Sequence, residues 1–505
     1  MGRLYNILLA TFAATGSFLF GYDTGVMTDV IASTNFLKYF NTDPTSPIIG
    51  AINSTFSGGA VFGSLMGGFT MDRFGRKRTI QIGALIAAIG GILQCAAVNL
   101  AMLLVGRIIS GWAIGLILTQ QMIGVGFIVS TWIGYGSHHA PSDSSYAPLQ
   151  WRFPLAFQVL PALLLLVGLI WLPESPRYLI EVDRDDEALK VLHKLHYDGT
   201  NDDRVQREYN EIRATISAEK AITVPGWMIM FKVPQWRKRL FLGTLIQVFT
   251  QLTGISQFTL SHRPVPKLTF ADVIGYYQTI MYTALGITGG RNVLVAGIYN
   301  CVGPVANAIF IFFILDRVGR KKPLLFGAIG ITLALICEAA VNSQNPNGTR
   351  TGLSIAGVFF IFLVSVIFSL SFGPISWVYM SEIMPMQIRG RGTAFATGIG
   401  NWLVSTFFAQ VSPIALGSIT WKYYFVFVAF NILVTIPTIF FYFKETNQKS
   451  LEDIDLLFGE RALGTLPENL EKHHVEDALR RESLAQEKGV GVNHAELHVQ
   501  PETTK

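Results

Sequence analysis

A short basic sequence occurs twice in this chain, as DRFGRK at residues 72–77 and as DRVGRK at residues 316–321. Each copy lies between two long apolar runs. A charged turn that recurs between apolar runs indicates two related halves, each of which crosses a membrane several times. We therefore expect an all-α membrane protein built from an internal repeat.

The composition agrees with this expectation. Of the 505 residues, 14% are charged and 50% are hydrophobic, whereas soluble domains carry about 25% charged residues. The three cysteines lie in apolar runs without metal-ligand spacing, so we expect no metal site or disulfide. Because the sequence shows no nucleophile elbow and no phosphate-binding loop, we also expect no enzyme and no cofactor.

Apolar runs of about 20 residues, enough to cross a bilayer as a helix, divide the chain into segments. Residues 1–172 form the first membrane half, with spans predicted at 9–32, 48–70, 78–98, 101–137 and 153–172. Residues 173–239 form a polar linker of short amphipathic helices. Residues 240–443 form the second half, with spans predicted at 240–256, 273–288, 293–315, 322–341, 355–380, 391–415 and 421–443. Residues 444–505 form a charged tail of mostly disordered composition.

Lysine and arginine clusters predict the orientation, because cytoplasmic loops are rich in these residues. Such clusters occur at 73–78, 237–239, 317–322 and 389–391, whereas the loops 33–47, 138–150 and 342–353 are poor in basic residues. Both basic repeats, the linker and the tail are therefore expected in the cytoplasm. The net charge of +5 is interpreted as this topology signal and not as a nucleic-acid surface.

Five motifs, one of which occurs twice, identify a family resemblance. They are FGYDTG at residues 20–25, the two basic repeats, PESPR at 173–177, GPISW at 373–377, and SEIMP at 381–385 followed by Arg389 and Gly390. From Tyr5 to Leu457 the chain resembles the sugar porter family of the major facilitator superfamily, and it is most similar to fungal monosaccharide (hexose) transporters. The resemblance implies two six-helix halves, alternating access, a monomer and a multi-pass protein of the plasma membrane.

Asp23 places a carboxylate within the first predicted span, where such a group is costly and by default functional. Its expected partner is Arg107. By resemblance, these positions match the proton-coupling pair of sugar–proton symporters, in which a protonated Asp23 would release Arg107 and an ionised Asp23 would hold it. The alternative is a static buried ion pair.

Sugar recognition requires amides for the hydroxyl groups and an aromatic face for the pyranose ring. The resemblance implies a monosaccharide site, similar to those for glucose or xylose, on the fifth, seventh, tenth and eleventh helices. For any single aromatic residue, packing in the core is the alternative role. The candidate substrate-binding residues are Gln120, Gln251, Tyr276, Tyr277, Trp377, Asn401, Trp402 and Phe20.

The basic repeats also predict a cytoplasmic gate, because their charges can pair with carboxylates at neighbouring helix ends. Such pairs would close the inner side and break when the halves rock, so each should be modest in energy. The alternative is that these arginines only set the topology. The candidate gate residues are Asp72, Arg73, Arg76, Glu174, Arg177, Asp316, Arg317, Arg320, Glu382 and Arg389.

The first departure from the family lies in residues 106–136, an uninterrupted apolar run of 31 residues. At about 1.5 Å per residue this run reaches roughly 46 Å, whereas two crossings require about 60 Å and a turn. The Pro-x-Tyr-x-x-Glu and Arg-Gly elements that the family has here are absent. We therefore expect the first half to lack part of helices 4 and 5, with the lost segment between Leu116 and Ile117.

The second departure is an insert of residues 257–272 in the predicted seventh helix. Two prolines and three basic groups in this insert cannot lie in a lipid-facing helix. The family has a single Asn where residues 256–272 stand here. A translated intron would explain the insert, because a Ser codon can carry the donor site and joining its flanks restores an Asn codon.

Two functions remain open. The first is monosaccharide:proton symport by alternating access, with this chain impaired by the missing segment of helices 4 and 5 and by the insert in helix 7. The second is a transport-inactive sugar sensor or pseudotransporter. The short tail after Lys444 carries no repeated signalling motif, which favours transport.

Overall fold

The computed structural model describes residues 2–31, 33–42, 46–117, 123–140, 146–196, 202–222, 227–253, 290–344, 350–385, 388–449 and 451–458. These residues form helices joined by short turns, and they include no strand. The predicted all-α membrane fold is thereby confirmed. The insert of residues 257–272 lies outside the described residues.

Eight helices form the first half. They are α1 (Gly2–Val30), α2 (Thr34–Tyr39), α3 (Pro47–Phe74), α4 (Arg76–Cys95), α5 (Leu100–Leu116), α6 (Ile123–His138), α7 (Leu149–Phe157) and α8 (Val159–Gly168). Four described helices follow in the linker and lead into the second half: α9 (Pro176–Glu181), α10 (Asp185–His196), α11 (Asp202–Ile222) and α12 (Ile229–Lys232).

The described helices of the second half are α13 (Pro234–Leu252), α14 (Gly290–Phe313), α15 (Leu315–Val318), α16 (Lys321–Gln344), α17 (Thr351–Ser369), α18 (Phe372–Ile383), α19 (Arg389–Phe395), α20 (Val404–Ile419), α21 (Tyr424–Phe430), α22 (Ile436–Tyr442) and α23 (Leu451–Leu457). Two π-helical segments interrupt this half, Ala396–Leu403 before α20 and Asn431–Thr435 before α22. Such segments are rare and often occur at functional sites.

Six helices in the described part of the chain are long and apolar enough to cross a membrane. They are Pro47–Met71, Arg76–Cys95, Leu149–Gly168, Lys321–Gln344, Ile355–Ile383 and Tyr424–Tyr442. All six coincide with predicted spans. Leu100–Leu116 and Gly297–Phe313 are apolar but shorter. Both basic repeats lie at one end of the bundle, which we call the basic end.

The apolar run of residues 101–137 does not form one long helix. It forms α5 of 17 residues and α6 of 16 residues, which span about 26 and 24 Å and are each shorter than the roughly 30 Å of a bilayer core. The helix α5 runs parallel to α3 toward the basic end and stops at Ile117, beside Gly83 of α4. The helix α6 starts beside Gly21, midway along α1, and runs away from the basic end. We call α5 and α6 half-length helices, since each has little more than half of the 28 residues of α3.

Candidate functional site

Two buried amides meet between α13 and the first π-helical segment. Gln251 lies in the last turn of α13, and Asn401 lies in Ala396–Leu403; each is 6% exposed. The Nε2 group of Gln251 donates a hydrogen bond to Oδ1 of Asn401. Oε1 of Gln251 has no partner among the described residues. A buried amide acceptor without a partner is costly unless a ligand or water completes it.

Gln247 was not predicted and extends this polar face by one helical turn. It is fully buried, its Nε2 group contacts the sulfur of Met380 at 3.4 Å, and its Oε1 has no partner in the described part of the chain. The spacing of four residues from Gln251 places both amides on one face of α13. That spacing is the sequence signal that could have identified Gln247.

The side chain of Trp402, a residue of the second half, packs into the apolar core of the first half. Its ring lies 5.4 Å from the ring of Phe20 on α1 and 6.2 Å from that of Phe56 on α3, both edge-on. It is 6% exposed and belongs to the apolar cluster formed by α1, α3, α4 and α5. Since aromatic pairs at these distances attract each other, Trp402 joins the two halves beside Asn401.

Asp23 and Arg107 lie together in the middle of the first half, at 1% and 0% exposure. Arg107 donates from Nη1 to the backbone carbonyl of Asp23 at 3.1 Å and from Nε to the carbonyl of Ile52 at 3.3 Å. Its guanidinium carbon lies 4.2 Å from the ring centroid of Phe56. Neither carboxylate oxygen of Asp23 has a hydrogen-bond partner among the described residues. The hydrogen bond from Nη1 of Arg107 to Asp23 is therefore made to the backbone and not to the carboxylate.

The remaining predicted sugar ligands are placed only in part. Trp377 is half-buried on α18, a helix that packs against α13. Gln120, Tyr276 and Tyr277 lie outside the described residues.

Hydrogen bonds join the two halves along two seams. In the first, between α3 and α20, the hydroxyl oxygens of Ser57 and Ser405 lie 3.3 Å apart, and Ser54 donates to Oε1 of Gln410 at 2.9 Å. In the second, between α6 and α14, Asn300 donates to the hydroxyl of Thr131 at 2.6 Å. Because neutral hydrogen bonds are individually worth about 1 kcal/mol, such seams can open and close.

At the basic end, two carboxylates organise the second repeat. Arg320, which is 8% exposed, pairs with Oε1 of Glu382 at 3.0 Å. Oε1 and Oε2 of Glu445 accept hydrogen bonds from the backbone N–H groups of Arg320 at 2.8 Å and Lys321 at 3.0 Å. Thr446 donates to the other oxygen of Glu382 at 2.6 Å. The predicted pair of Arg320 and Glu382 is thus accompanied by Glu445, which sequence reasoning missed.

The first repeat copies part of this arrangement. Gly75 and Gly319 both have a positive φ, of 84° and 86°, which a glycine adopts without strain. After Gly75, Glu174 accepts from the backbone N–H of Lys77 at 3.1 Å, and the ammonium of Lys77 donates to the carbonyl of Leu172 at 2.6 Å. Glu174 therefore caps α4 as Glu445 caps α16. This internal symmetry is the signal that could have identified Glu445.

The two repeats differ at the second arginine. Arg320 is buried beside Glu382, whereas Arg76, the matching residue of the first repeat, is exposed. Glu382 lies in SEIMP after the tenth predicted helix, and the family's matching glutamate lies in the segment expected to be missing after helix 4. The exposure of Arg76 fits that absence.

The other gate candidates are spread over the basic end. Arg73 and Arg317 are exposed, Arg177 is half-buried, and the half-buried Arg389 donates from Nε and Nη2 to the carbonyl of Met384, both at 3.3 Å. The side chains of Asp72 and Asp316 lie outside the described residues.

The pKa of Glu445 is lowered from its ordinary value. Burial of the half-buried carboxyl group raises this pKa. Hydrogen bonds to the carboxylate together lower the pKa by more than burial raises it; they come from the backbone N–H groups of Arg320, Lys321, Asn447 and Thr446. Because the pKa is lower in the folded protein, Glu445 stabilises the fold fully above its unfolded pKa of about 4.3. This contribution is lost as the pH falls through the folded value.

The Glu445→Gln variant is expected to unfold at a lower temperature at pH 7. The carboxamide loses a charged acceptor of several backbone N–H groups, at a cost of about 1–3 kcal/mol. Tryptophan fluorescence of the purified protein during heating measures the difference, which should shrink in acid. Glu211→Gln, an exposed change on α11, serves as control. Equal unfolding temperatures for Glu445→Gln and the parent chain at pH 7 would contradict this role.

The chain matches the family described as "Sugar (and other) transporter" over residues 9–119 and 116–458. The two matched stretches meet at residues 116–119, where α5 ends. The chain is 36% identical to the MFS-type transporter criB of Aspergillus cristatus over 495 residues, 93% of this chain and 97% of that protein. It is 30% identical to the high-affinity glucose transporter of Kluyveromyces lactis, covering 90% of this chain and 86% of that protein.

The fold is similar to that of solved transporters. The proton:xylose symporter XylE bound to 6-bromo-6-deoxy-D-glucose aligns with a TM-score of 0.73 at 22% identity, covering 91% of this chain and 100% of that structure. An inward-open structure of XylE from E. coli aligns with a TM-score of 0.68 at 21% identity, covering 89% and 99%. At these identities the likeness shows the fold alone, which is the major facilitator fold.

Proposed function

Because the chain belongs to the sugar porter family of the major facilitator superfamily, we propose that its function is monosaccharide:proton symport across the plasma membrane by alternating access, carried out by a monomer. The observation that carries this proposal is the pair of adjoining sites. The first site is the buried amide pair of Gln251 and Asn401, which precedes Trp402 in the chain. The ring of Trp402 contacts the ring of Phe56, and the guanidinium of Arg107 lies over that ring and next to Asp23.

The amide pair supplies the chemistry that a sugar needs. In the absence of substrate, Gln251 and Asn401 satisfy each other, and a sugar hydroxyl group can replace either partner because it both donates and accepts. Oε1 of Gln251 and Oε1 of Gln247 would then accept hydrogen bonds from the sugar hydroxyl groups. Trp402, the residue after Asn401, would supply the apolar ring that pyranose binding requires.

The arrangement of Asp23 fits the proton-loaded state of a switch. An ionised carboxylate buried without a hydrogen-bond donor would be costly in a membrane, so the neutral acid fits the observed environment better. Release of the proton would leave an anion whose nearest cation is the guanidinium of Arg107. The α1 and α5 helices would then be drawn together, which couples the proton to the packing of the first half.

The basic end supports an inward-facing gate. Arg320, Glu382, Glu445 and Thr446 tie the ends of α16 and α18 to the chain after α22. We assign this end to the cytoplasm, since it holds both basic repeats. The first repeat has its capping glutamate but an exposed Arg76. We infer that the gate is complete in the second half and weakened in the first.

We further propose that the 505-residue chain transports poorly. The half-length α5 and α6 leave the first half without two complete crossings, and the break between the matched stretches at residues 116–119 supports loss of a segment there. The insert of residues 257–272 interrupts the seventh span. Rocking of rigid halves needs helices that extend through the membrane.

Monosaccharide binding tests the proposed site without requiring transport. Glucose and xylose should quench or shift the tryptophan fluorescence of the purified chain, through Trp402. Asn401→Ala and Gln251→Ala should each weaken binding about tenfold, because one or two hydrogen bonds of ~1 kcal/mol are lost and a buried group is left unpaired.

Asn99→Ala provides the matched amide control. Asn99 caps α5 by accepting from the backbone N–H of Met102 at 2.8 Å, so this change should alter helix stability by ~1 kcal/mol and leave sugar binding unchanged. Equal affinities in the parent chain, Asn401→Ala and Gln251→Ala would contradict the assignment of these amides.

A sugar sensor or pseudotransporter is the second candidate. The half-length α5 and α6 favour it, since they affect rocking of the halves and leave Gln251, Asn401 and Trp402 in place. A chain that binds monosaccharide, that still fails to transport when the missing segment is restored, and that signals in a transporter-deficient host would establish it.

A further inference from the structure

A second acidic residue is buried in α1, six residues beyond Asp23. Asp29 is 7% exposed, and neither of its carboxylate oxygens has a hydrogen-bond partner among the described residues. Six residues correspond to about 600° of helical rotation, so Asp23 and Asp29 point to different neighbours. Asp23 lies by Arg107 of α5, whereas Asp29 points to α6. The proposed symport mechanism does not use Asp29.

Gly134 of α6 forms the floor of the Asp29 site. A Cβ atom at residue 134 would lie 2.3 Å from Oδ2 of Asp29, so only glycine leaves room for the carboxyl group. The two helices thus approach each other around an acid that receives no donor from either. Because an unpaired anion is strongly disfavoured in a membrane interior, the site holds a neutral carboxyl group in this conformation.

Polar groups lead from this site to the end of the bundle opposite the basic end. Ser137 donates its hydroxyl proton to the carbonyl of Gly134 at 2.9 Å, and it lies 3.1 Å from the carbonyl of Gln150. Gln150 in turn accepts from Ser33 at 3.2 Å and donates to the carbonyl of Ala140 at 2.8 Å. Asp29 contacts Gly134, and the hydrogen-bonded path that reaches the outer loops begins at the carbonyl of Gly134.

The charged and titratable groups around α1 do not neutralise Asp29. Arg107 of α5 donates to the carbonyls of Asp23 and Ile52, and Arg152 of α7 lies over the ring of Trp151 and donates to the carbonyl of Ala97 at 3.4 Å. The helix α8 carries no charged residue, and α10 belongs to the linker. Arg3 and Tyr5 near the start of α1 have side chains outside the described residues. The other titratable groups on α1 and α6 are Tyr22, Asp23, Tyr135 and His138.

We propose that Asp29 is a second proton-carrying group, which takes up and releases protons on the outer side of Asp23. The proposal rests on the proton coupling proposed above and adds a site to it. The seam between α6 and α14 lies at Thr131, one helical turn from Gly134. When that seam opens, water reaches Asp29 and the acid exchanges its proton with the outside. When the seam closes, Asp29 is buried against Gly134 as the neutral acid. Two acids on one helix would then load protons in sequence from the outside.

Labelling with dicyclohexylcarbodiimide tests this proposal on the full 505-residue chain. The reagent adds to protonated carboxyl groups in apolar surroundings: the carboxyl proton moves to a reagent nitrogen, and the carboxylate oxygen bonds to its central carbon. At pH 7 in detergent, mass spectrometry of peptides should find the adduct at Asp29. Asp29→Asn should lose that adduct.

A wedge in the seam between α6 and α14 provides the decisive comparison. Thr131 is fully buried and accepts from Asn300, so Thr131→Trp should hold the halves apart there. A hydrated Asp has a pKa of about 3.9 and is ionised at pH 7, so labelling of Asp29 should fall about tenfold or more. Asn300→Trp places the wedge from the opposite side and should give the same loss. Glu338, buried on α16 away from this seam, serves as the internal reference, and its labelling should not change.

Two results would overturn the proposal. Absence of the adduct at Asp29 in the parent chain would mean that the acid is not held neutral. Equal labelling of Asp29 in the parent chain and in both wedge variants would mean that it never meets outside water and is a static buried group. The experiment requires no sugar and no transport, so it can succeed where the monosaccharide test fails, and the reverse.

Discussion

Hexose uptake by the 505-residue chain is expected to remain at background in a transporter-deficient host, and restoring two segments should raise it by about 100-fold or more. That change corresponds to ~2.7 kcal/mol in the barrier of the transport cycle. The restored form carries a single Asn in place of residues 256–272. Between Leu116 and Ile117 it carries the matching segment of criB, which is 36% identical to this chain.

The physical reason lies in the two half-length helices. Among the described residues, α5 stops beside Gly83 and α6 starts beside Gly21. We infer from these positions that the basic end of the first half lacks the ends of two helices. A restored segment would complete both crossings and would return a glutamate to the neighbourhood of the exposed Arg76. Restoring only the single Asn, with α5 and α6 left short, is the matched control and should stay at background. Strong uptake by that control would contradict the importance of the missing segment.

The Asp23→Asn change in the restored form is expected to abolish accumulation of hexose against a gradient. The carboxamide resembles the protonated acid in shape but cannot release a proton, so the sugar would equilibrate without being driven. Exchange of labelled for unlabelled hexose should continue, because it needs no net proton movement. Parallel measurements of accumulation and exchange separate these two outcomes.

Asp23→Glu provides the conservative control for this prediction. It keeps a titratable group at a position that is 1% exposed, so accumulation should recover in part, while the extra methylene group strains the packing. Accumulation in Asp23→Asn equal to that of the restored parent would contradict proton coupling through this residue. Loss of both accumulation and exchange would point to a structural role for Asp23 in the first half.

The family and the fold could be predicted from sequence because their signals are local. The spacing of the apolar runs predicts the helices, and the repeated basic turns predict the two halves. The shortage of length in residues 106–136 also predicts incomplete helices 4 and 5, and this stays a prediction; the described α5 and α6 have 17 and 16 residues.

Other features depend on distant contacts and could not be predicted in this way. The π-helical segment that directs Asn401 toward Gln251 and Trp402 toward the first half leaves no composition signal. The burial of Asp29 results from the absence of a side chain at Gly134, more than one hundred positions away. In the sequence, Glu445 stands at the start of the charged tail. Its capping role depends on two backbone N–H groups at the start of α16, which are distant in the sequence.

Hexose-driven proton uptake, followed as alkalinisation of the medium around a transporter-deficient host, tests the central claim most directly. The restored form should alkalinise the medium when hexose is added, whereas the 505-residue chain and the restored Asp23→Asn form should not. Sustained alkalinisation by the 505-residue chain would contradict the inferred defect. Hexose uptake by the restored form without any alkalinisation would contradict symport.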